Sequence, residues 1–367
     1  MNRVAFQFSS ETRSFARYVF DRPKVKPGEV LVRVTCCTIC GSDIHTFSGR
    51  RDAPCGCVMG HEIIGEIEDW AGDDPPLDFY GNQLQLHQRV TWAMAVGCGH
   101  CFFCKVNLTQ KCESLYKYGH LASGACPTGG FSENCLLVPG TPIFPVGESL
   151  ADEVICPANC ATATVSAALR MIGETHAIDR INAVSDSTVL IMGAGMLGLT
   201  AAAQFSSLGA RQIMIVDPNI SRLELATEFG ATHCLATTDC NEIALLAESL
   251  TQGRGVDVCL DVSGITSAVE SCIAAARIGG CVLLAGSVFP GPLMAIAPED
   301  LVRRMLTIRG LHNYLPTDLE HALRFLEEAH HRYPFGKLVS RSFSLDQIEE
   351  AFQYAVEQQP VRVAIRP

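Results

Sequence analysis

The first part of the chain carries short apolar runs that predict β-strands. Residues 30–35 are rich in β-branched side chains and follow the turn sequence Lys26-Pro27-Gly28-Glu29. Similar runs occupy residues 63–67, 89–92 and 134–138. The segment 73–88 is polar, opens on two aspartates and two prolines, and predicts a surface insertion. We therefore expect a β-rich region before the chain changes character.

After residue 160 the pattern alternates between helices and strands. Residues 160–171 have helical spacing and predict a linking helix. Apolar runs at 189–192, 213–216, 256–262 and 281–285 predict buried strands, and helices are expected at 199–208 and 221–229. This alternation predicts an α/β fold with a doubly wound parallel sheet. The tail ends in a predicted strand at 361–365.

Composition limits the functions open to the chain. Its 367 residues suit two domains, and 48% hydrophobic with 18% charged residues indicates an ordered globular protein. The net charge of −11, with no basic run, disfavours nucleic acid as a partner. No apolar stretch is long enough to predict a membrane span. Eighteen cysteines without a secretory signal favour reduced thiols, metal ligands and a cytoplasmic location.

Four cysteines in residues 97–112 have metal-ligand spacing. Cys98, Cys101, Cys104 and Cys112 form a C-x2-C-x2-C-x7-C pattern. Four thiolates can close a tetrahedral shell around Zn²⁺ and leave no position for substrate, so we expect a structural zinc site. The alternatives are free or disulfide-bonded cysteines and an iron–sulfur cluster. A ferredoxin-type cluster would have its next cysteine after three residues and before a proline, which this chain lacks.

A glycine-rich sequence follows the strand predicted at 189–192. Gly193-Ala194-Gly195-Met196-Leu197-Gly198 has the dinucleotide-binding pattern, and Asp217 stands 19 residues after its last glycine. Gly195 would let the backbone approach the pyrophosphate, and Asp217 would accept hydrogen bonds from the adenosine ribose. The carboxylate favours NAD over NADP, although Arg222 could face a 2′-phosphate.

Two further motifs complete a resemblance to a known family. They are Cys40-Gly41-Ser42-Asp43-Ile44-His45 and Gly60-His61-Glu62. In the chain they precede the four-cysteine segment 97–112, the cysteine lobe, and the glycine-rich segment 193–198, the glycine motif. With those motifs, in that order and at those separations, the sequence resembles the zinc-containing medium-chain alcohol dehydrogenases along essentially its whole length. The resemblance implies a GroES-like catalytic domain over residues 1–160, an NAD-binding Rossmann domain over 161–311 and a return to the catalytic domain over 312–367.

The resemblance also implies a catalytic zinc bound by Cys40 and His61, with Glu62 close to the ion. The third protein ligand stays open between two cysteines. Cys160 lies four residues before Thr164, which would pack on the nicotinamide, whereas Cys156 precedes a proline as an acidic ligand does in polyol dehydrogenases.

Other roles follow from the same resemblance. Ser42 and His45 would carry the alcohol proton to water, and both groups can donate and accept protons. Asp43 would orient His61. Arg362 would contact the cofactor pyrophosphate. In the implied reaction, zinc lowers the pKa of the alcohol oxygen and hydride passes to NAD.

The substrate is the least determined part of the prediction. Arg50 and Arg51 stand out in an acidic chain, and guanidinium groups suit carboxylate, phosphate or phosphonate. The surrounding sequence resembles a bacterial subgroup associated with phosphonate breakdown, so we expect an anionic hydroxy substrate. The alternatives are a solvated arginine loop, a polyol or amino-alcohol dehydrogenase, a reductase without catalytic zinc, and a non-catalytic nucleotide-binding module. The family further implies a homodimer or homotetramer.

Overall fold

The computed structural model describes residues 2–122, 126–175 and 184–367. The chain forms two compact units. Unit 1 comprises Met1–Cys160, Leu315–Glu327 and Phe335–Pro367, and unit 2 comprises Ala161–Tyr314 and Glu328–Pro334. The chain thus leaves unit 1 after Cys160 and returns to it at Leu315.

The elements are numbered in chain order. The strands are β1 (Asn2–Ser9), β2 (Ser14–Asp21), β3 (Val30–Thr38), β4 (Cys57–Val58), β5 (Glu62–Trp70), β6 (Arg89–Trp92), β7 (Ala95–Val96), β8 (Tyr116–Lys117), β9 (Asn134–Leu137), β10 (Ile143–Pro145), β11 (Thr188–Met192), β12 (Gln212–Val216), β13 (His233–Leu235), β14 (Val256–Asp261), β15 (Ala276–Leu284), β16 (Thr307–Gly310), β17 (Val339–Ser344) and β18 (Arg362–Arg366). The helices are α1 (Gly41–Phe47), α2 (Phe102–Lys105), α3 (Asp152–Ile155), α4 (Ala161–Gly173), α5 (Met196–Ser207), α6 (Ile220–Glu228), α7 (Cys240–Thr251), α8 (Thr266–Ala275), α9 (Pro298–Arg304), α10 (Pro316–Ala329) and α11 (Ile348–Gln358).

Unit 1 is built on β-sheets. Its largest sheet has the strand order β10-β6-β5-β3-β18-β17, with β9 also paired to β3, and a smaller sheet has the order β2-β1-β4. The core contains Trp92, Phe131 and Phe352, all fully buried. Burying these aromatic side chains contributes roughly 2–3 kcal/mol each. The central strand β3 is antiparallel to both β5 and β18, so the end of β3 lies beside the starts of its two neighbours.

Unit 2 confirms the predicted doubly wound fold. The six strands described for this unit are parallel, in the order β13-β12-β11-β14-β15-β16. This is the strand order 3-2-1-4-5-6 of dinucleotide-binding sheets, whose ligands lie at the carboxyl ends of the strands where the order reverses. β11, the first strand, is buried along its whole length, as its continuous apolar sequence requires.

The helix after the glycine motif begins earlier than its predicted start at residue 199. α5 begins at Met196, because Gly195 is extended at φ −79° and ψ −167° and serves as the N-cap. Met196 and Leu197 therefore lie in the first helical turn.

In the described parts of the chain, no helix is both long and apolar enough to cross a bilayer.

Candidate metal and cofactor sites

Three strand ends bring the predicted metal ligands of unit 1 together. Thr38, the last residue of β3, pairs with Glu62 at the start of β5 and with Ala364 near the start of β18. Cys40 follows β3 directly, and Arg362 opens β18. The antiparallel register therefore brings residues that are far apart in sequence together at the ends of three neighbouring strands.

Helix α1 positions Cys40 and orients His61. Cys40 is the N-cap of α1, and its backbone N–H donates to Oδ2 of Asp43 at 2.9 Å. The other oxygen of Asp43, Oδ1, lies 3.4 Å from Nδ1 of His61, and both side chains are buried. This is a close charge contact rather than a well-formed hydrogen bond. With Nδ1 facing Asp43, Nε2 of His61 is left to face a ligand, and Ser42 Oγ lies 3.5 Å from it.

Cys160 joins this group, and Cys156 does not. Potential ligand atoms of Cys40, His61, Glu62 and Cys160 all lie within 4.8 Å of one another. The Sγ atoms of Cys40 and Cys160 are 4.0 Å apart, close to the separation of about 3.8 Å that two sulfurs have on a tetrahedral zinc. Cys156 is fully buried and is not a member of this group.

Two thiols and an imidazole fit zinc chemically. The hydrogen bond from Cys160 lowers the pKa of the Cys40 thiol well below its usual value, against burial, and Arg362 lowers it further. The same bond and burial raise the pKa of Cys160 well above its usual value. The pair thus holds one thiolate readily, and a cation would stabilise the second.

Cys40, His61, Glu62 and Cys160 together form what we call the metal cluster. Within it, Glu62 has an arginine partner. Its Oε2 accepts from Thr38 Oγ1 at 2.6 Å and from Arg362 Nε at 2.8 Å, and its Oε1 accepts from Arg362 Nη2 at 2.9 Å. Burial raises the pKa of Glu62 to about 7, although Arg362 acts to lower it. The structure thus pairs the Arg362 guanidinium with Glu62. The contact between Arg362 and the cofactor pyrophosphate stays a prediction.

The second candidate metal site is the cysteine lobe. The sulfurs of Cys98, Cys101, Cys104 and Cys112 lie within 4.8 Å of one another. Sγ of Cys112 accepts from the backbone N–H of Cys98 at 3.2 Å and of Ser114 at 3.3 Å. Backbone N–H donors from Glu113 and Cys104 lower the pKa of Cys101 to about 6. Such donors stabilise thiolates, the form that binds metal.

In unit 2 the glycine motif combines a position that only glycine can fill with a position that is open. A Cβ on Gly198 would overlap the carbonyl oxygen of Gly193, so this position requires glycine for packing. A Cβ on Gly195 would meet nothing within 4 Å. The backbone at Gly195 therefore faces open space at the N-terminus of α5, where the N–H groups and the helix dipole favour phosphate.

The other residues predicted to bind the cofactor lie on, or directly after, strands and helices of unit 2. Asp217 is buried at the end of β12, and its two oxygens accept from the backbone N–H groups of Ala194 and Asn219, each at 2.8 Å. This fixes the carboxylate beside the glycine motif with lone pairs to spare for a ribose hydroxyl. Arg222 lies in the first turn of α6, and Thr164 lies in α4. Their contacts with NAD stay predictions.

The predicted relay and substrate residues occupy α1 and the loop after it. Nδ1 of His45 lies 3.5 Å from Arg50 Nη1. Arg51 donates from Nε and Nη2 to Thr46 Oγ1 at 2.9 and 2.7 Å, and from Nη2 to the Ser42 carbonyl at 3.3 Å. In the described residues neither arginine forms an ion pair with a carboxylate, Asp52 included.

Sequence reasoning missed two residues beside the metal cluster. The ring of His120 lies 4.9 Å from the ring of His61, and its Nδ1 bonds the Tyr118 carbonyl at 2.9 Å. Lys117 interacts electrostatically with Cys160 and Cys40. The available signal was the strand alternation Tyr116-Lys117-Tyr118, which places the lysine on the face opposite two aromatic rings.

Two protein families match the chain, one in each half. Residues 26–148 match the alcohol dehydrogenase GroES-like domain family, and residues 196–328 match the zinc-binding dehydrogenase family. These segments contain Cys40, His61, the cysteine lobe and the last three residues of the glycine motif, Met196 to Gly198.

Curated relatives and solved structures cover nearly all of the chain. L-threonine 3-dehydrogenase of Shewanella sediminis is 27% identical over 91% of this chain and 92% of its own. The 5-exo-hydroxycamphor dehydrogenase of Pseudomonas putida is 27% identical over 89% and 88%. The structure of an alcohol dehydrogenase from Thermotoga maritima has a TM-score of 0.91, with 24% identity and full coverage of both chains. Because the sequence identity to the Thermotoga maritima structure is below 25%, this similarity shows the fold alone.

Proposed function

Since the chain belongs to the zinc-containing medium-chain alcohol dehydrogenases, we propose that it transfers hydride between NAD and the hydroxyl carbon of a small anionic alcohol. The observation that carries the proposal is the convergence of Cys40, His61 and Cys160, whose ligand atoms lie within 4.8 Å of one another. Three protein ligands leave a fourth position open, which is typical of catalytic rather than structural zinc.

A zinc ion bound there would supply Lewis-acid polarisation of the hydroxyl group. The protein's own residues orient the ligands and move the proton. Asp43 holds His61 with Nε2 free for the ion. Arg362 compensates the charge of Glu62. In the proposed relay Ser42 accepts the alcohol proton and passes it towards His45. The distance of 3.5 Å between Ser42 Oγ and His61 Nε2 supports this role, because it brings the hydroxyl beside a proposed zinc ligand.

The proposed cofactor is NAD, bound at the edge of the unit 2 sheet. NAD supplies the hydride acceptor. The open backbone at Gly195 would take the pyrophosphate, and the fixed carboxylate of Asp217 would accept from the ribose. A 2′-phosphate on the ribose would be repelled by that carboxylate, so NADP should bind less tightly.

The proposed negative charge of the substrate is supported by Arg50 and Arg51, which lack carboxylate partners in the described chain. An amino alcohol is the second candidate, because several curated relatives are named L-threonine 3-dehydrogenases. An amino alcohol would also need an anion for its ammonium group. The carboxylates at the cluster, Asp43 and Glu62, already face His61 and Arg362, which favours an anion without an ammonium group.

The decisive test combines zinc content with NAD-linked activity on neutral, anionic and amino alcohols. We expect two zinc ions per chain and activity in the wild type, and one zinc with no activity in Cys160→Ala. Cys156→Ala is the matched control and should keep both ions, because Cys156 is not among the residues whose ligand atoms converge. A single zinc in the wild type, or no NADH from any alcohol, would refute the proposal.

A further inference from the structure

The six-stranded sheet of unit 2 consists of two halves that meet between β11 and β14. One half contains β11, β12 and β13, and the other contains β14, β15 and β16. Sheets of this order bind a dinucleotide across the junction, one mononucleotide to each half, outside the carboxyl ends of the strands. The glycine motif and Asp217 belong to the first half, where they are proposed to hold the adenosine side of NAD. The nicotinamide side should therefore lie over the second half.

Asp261 ends β14, at the junction of the two halves. It is fully buried and pairs with Met192 at the end of β11. The next residue, Val262, donates its backbone N–H to the Met192 carbonyl oxygen at 3.0 Å. A Cβ on Gly193, the first residue of the glycine motif, would lie 3.3 Å from the backbone nitrogen of Ser263. The turn after Asp261 is thus packed directly against the turn that begins the glycine motif.

Two turns donate hydrogen bonds to the Asp261 carboxylate. Oδ1 accepts from Ser263 Oγ at 2.7 Å and from the Ser263 backbone N–H at 3.0 Å. The Gly264 backbone nitrogen lies 3.3 Å from each oxygen, and Ser287 Oγ, from the turn after β15, lies 3.4 Å from Oδ2. Backbone N–H groups can only donate, so they favour the charged form of the carboxylate. Ser263 and Ser287 are both exposed, which places the carboxylate directly beneath the surface of unit 2.

The charge of Asp261 has no cationic partner within the described parts of the chain. Its hydrogen-bond partners there are all neutral groups. Burial raises the pKa of Asp261, and the hydrogen bonds act to lower it. Asp257, near the start of the same strand, is different, because it pairs with Arg254 and Arg277. The carboxylate without a cation is thus the one at the carboxyl end of the strand, where ligands of this fold lie.

The turn after β14 also differs from its counterpart after β11 in the charge that it presents. The glycine motif leads into α5 and leaves N–H groups for a phosphate. The turn at Ser263 and Gly264 uses its N–H groups for a carboxylate of the protein. A buried negative charge there repels phosphate and attracts a cation. The nicotinamide ring is a cation in the oxidised cofactor and is neutral in the reduced one.

We propose that Asp261 is a specificity-determining residue for the redox state of the cofactor, because its buried charge stabilises bound NAD relative to bound NADH. The inference rests on the proposed NAD-dependent function and deepens it, since NAD is the form that accepts hydride from an alcohol. Asp261 acts through its charge and needs no contact with the ring. Two unit charges about 10 Å apart, at an effective dielectric constant of about 20–40, change a binding constant about four- to sixteenfold.

The test compares the dissociation constants of NAD and NADH for the zinc-loaded protein, measured by calorimetric titration at about pH 8, well above the ordinary pKa of a carboxyl group. Asp261→Asn removes the charge and keeps an acceptor oxygen for Ser263. It should raise the Kd of NAD about fivefold and change the Kd of NADH less than about twofold. Asp217→Asn is the matched control on the adenosine side. It should weaken both forms equally, because the adenosine ribose has the same charge in both.

Ser263→Ala separates the charge from the hydrogen bonds around it. This variant removes the shortest hydrogen bond to the carboxylate and leaves the negative charge. The ratio of the two dissociation constants should therefore stay within about twofold of the wild-type ratio. A ratio that changes as much in Ser263→Ala as in Asp261→Asn would assign Asp261 a structural role instead. An unchanged ratio in Asp261→Asn would overturn the inference outright.

A neutral cofactor analogue tests the wild type directly, including the case in which Asp261→Asn does not fold. Benzamide adenine dinucleotide carries an uncharged ring of the same shape as nicotinamide. The wild type should bind NAD about fivefold more tightly than this analogue, and equal affinities would overturn the inference. If neither NAD nor NADH binds, the proposed dehydrogenase fails. If alcohols reduce NAD but Asp261→Asn leaves the ratio unchanged, the dehydrogenase stands and the role of Asp261 alone fails.

Discussion

Arg362 donates from Nε and Nη2 to the two carboxylate oxygens of Glu62, at 2.8 and 2.9 Å, inside the metal cluster of unit 1. Both side chains are buried. Nη2 also approaches Cys40 Sγ at 3.7 Å, so the same guanidinium faces a carboxylate and a metal-ligand thiol. The arginine thus offsets negative charge that three strand ends concentrate at one place.

Arg362→Met should destabilise the protein strongly. The change leaves Glu62 buried without its cation, and breaking a buried pair from one side costs about 3–5 kcal/mol. The free energy of unfolding, measured by denaturant titration of the zinc-stripped protein, should fall by that amount. Arg324→Met is the control, because Arg324 forms an exposed pair with Glu320 and should contribute less than about 1 kcal/mol.

The pH dependence of Arg362→Met has a defined sign. The pKa of Glu62 is about 7 in the folded protein, well above its ordinary value, because burial disfavours the carboxylate. When the pKa of a carboxyl group is higher in the folded protein than in the unfolded protein, the protein loses stability as pH rises from the unfolded pKa through the folded pKa. Without Arg362 the pKa of Glu62 should rise further, so the variant should go on losing stability above about pH 7, where the wild type has stopped, and its deficit should grow as pH rises from about 7. A deficit independent of pH would contradict this account.

Cys112→Ser should remove the zinc of the cysteine lobe and leave the catalytic one. The lobe has few apolar contacts of its own, since Phe102 is 66% exposed and Val106 is 48% exposed. Its order therefore depends on the metal. We expect zinc content to fall from two ions per chain to one, with faster proteolysis within residues 97–112. Cys240→Ser, at an exposed thiol outside the lobe, should change neither.

Gly195→Ala and Gly198→Ala should fail for different reasons. Gly195 has φ −79° and open space around its Cβ position, so alanine should change stability by less than about 0.5 kcal/mol. NAD binding, measured by fluorescence titration, should weaken about tenfold or more because the methyl group occupies the pyrophosphate position. Alanine at Gly198 overlaps the Gly193 carbonyl and should destabilise unit 2 by about 1–3 kcal/mol. Unchanged NAD affinity in Gly195→Ala would place the cofactor elsewhere.

The sequence was most informative where a site is built within one short segment. Cys98 to Cys112 and Gly193 to Gly198 each carry spacing that predicts both a local structure and a ligand, and the six-stranded sheet confirms the fold around the glycine motif. Arg362 and Lys117 are different. The partner of Arg362 depends on the register of β18 against β3, and the position of Lys117 depends on Gly119 packing on Gly60. Neither contact can be read from the chain, and the alternation around Lys117 indicates only which face of the strand the lysine occupies.

Arg50→Gln should move the pH profile of the reaction. Burial lowers the pKa of His45, and Arg50, whose Nη1 lies 3.5 Å from His45 Nδ1, lowers it further. If neutral His45 accepts the proton passed on by Ser42, activity is lost as pH falls through its pKa. Removing the cation should raise that pKa, so the acidic limb of kcat/KM for butan-2-ol should move to higher pH, while the plateau stays unchanged. Arg303→Gln, at a well-exposed arginine, should leave the limb in place. A limb that stays in place in Arg50→Gln as well would exclude His45 from the relay.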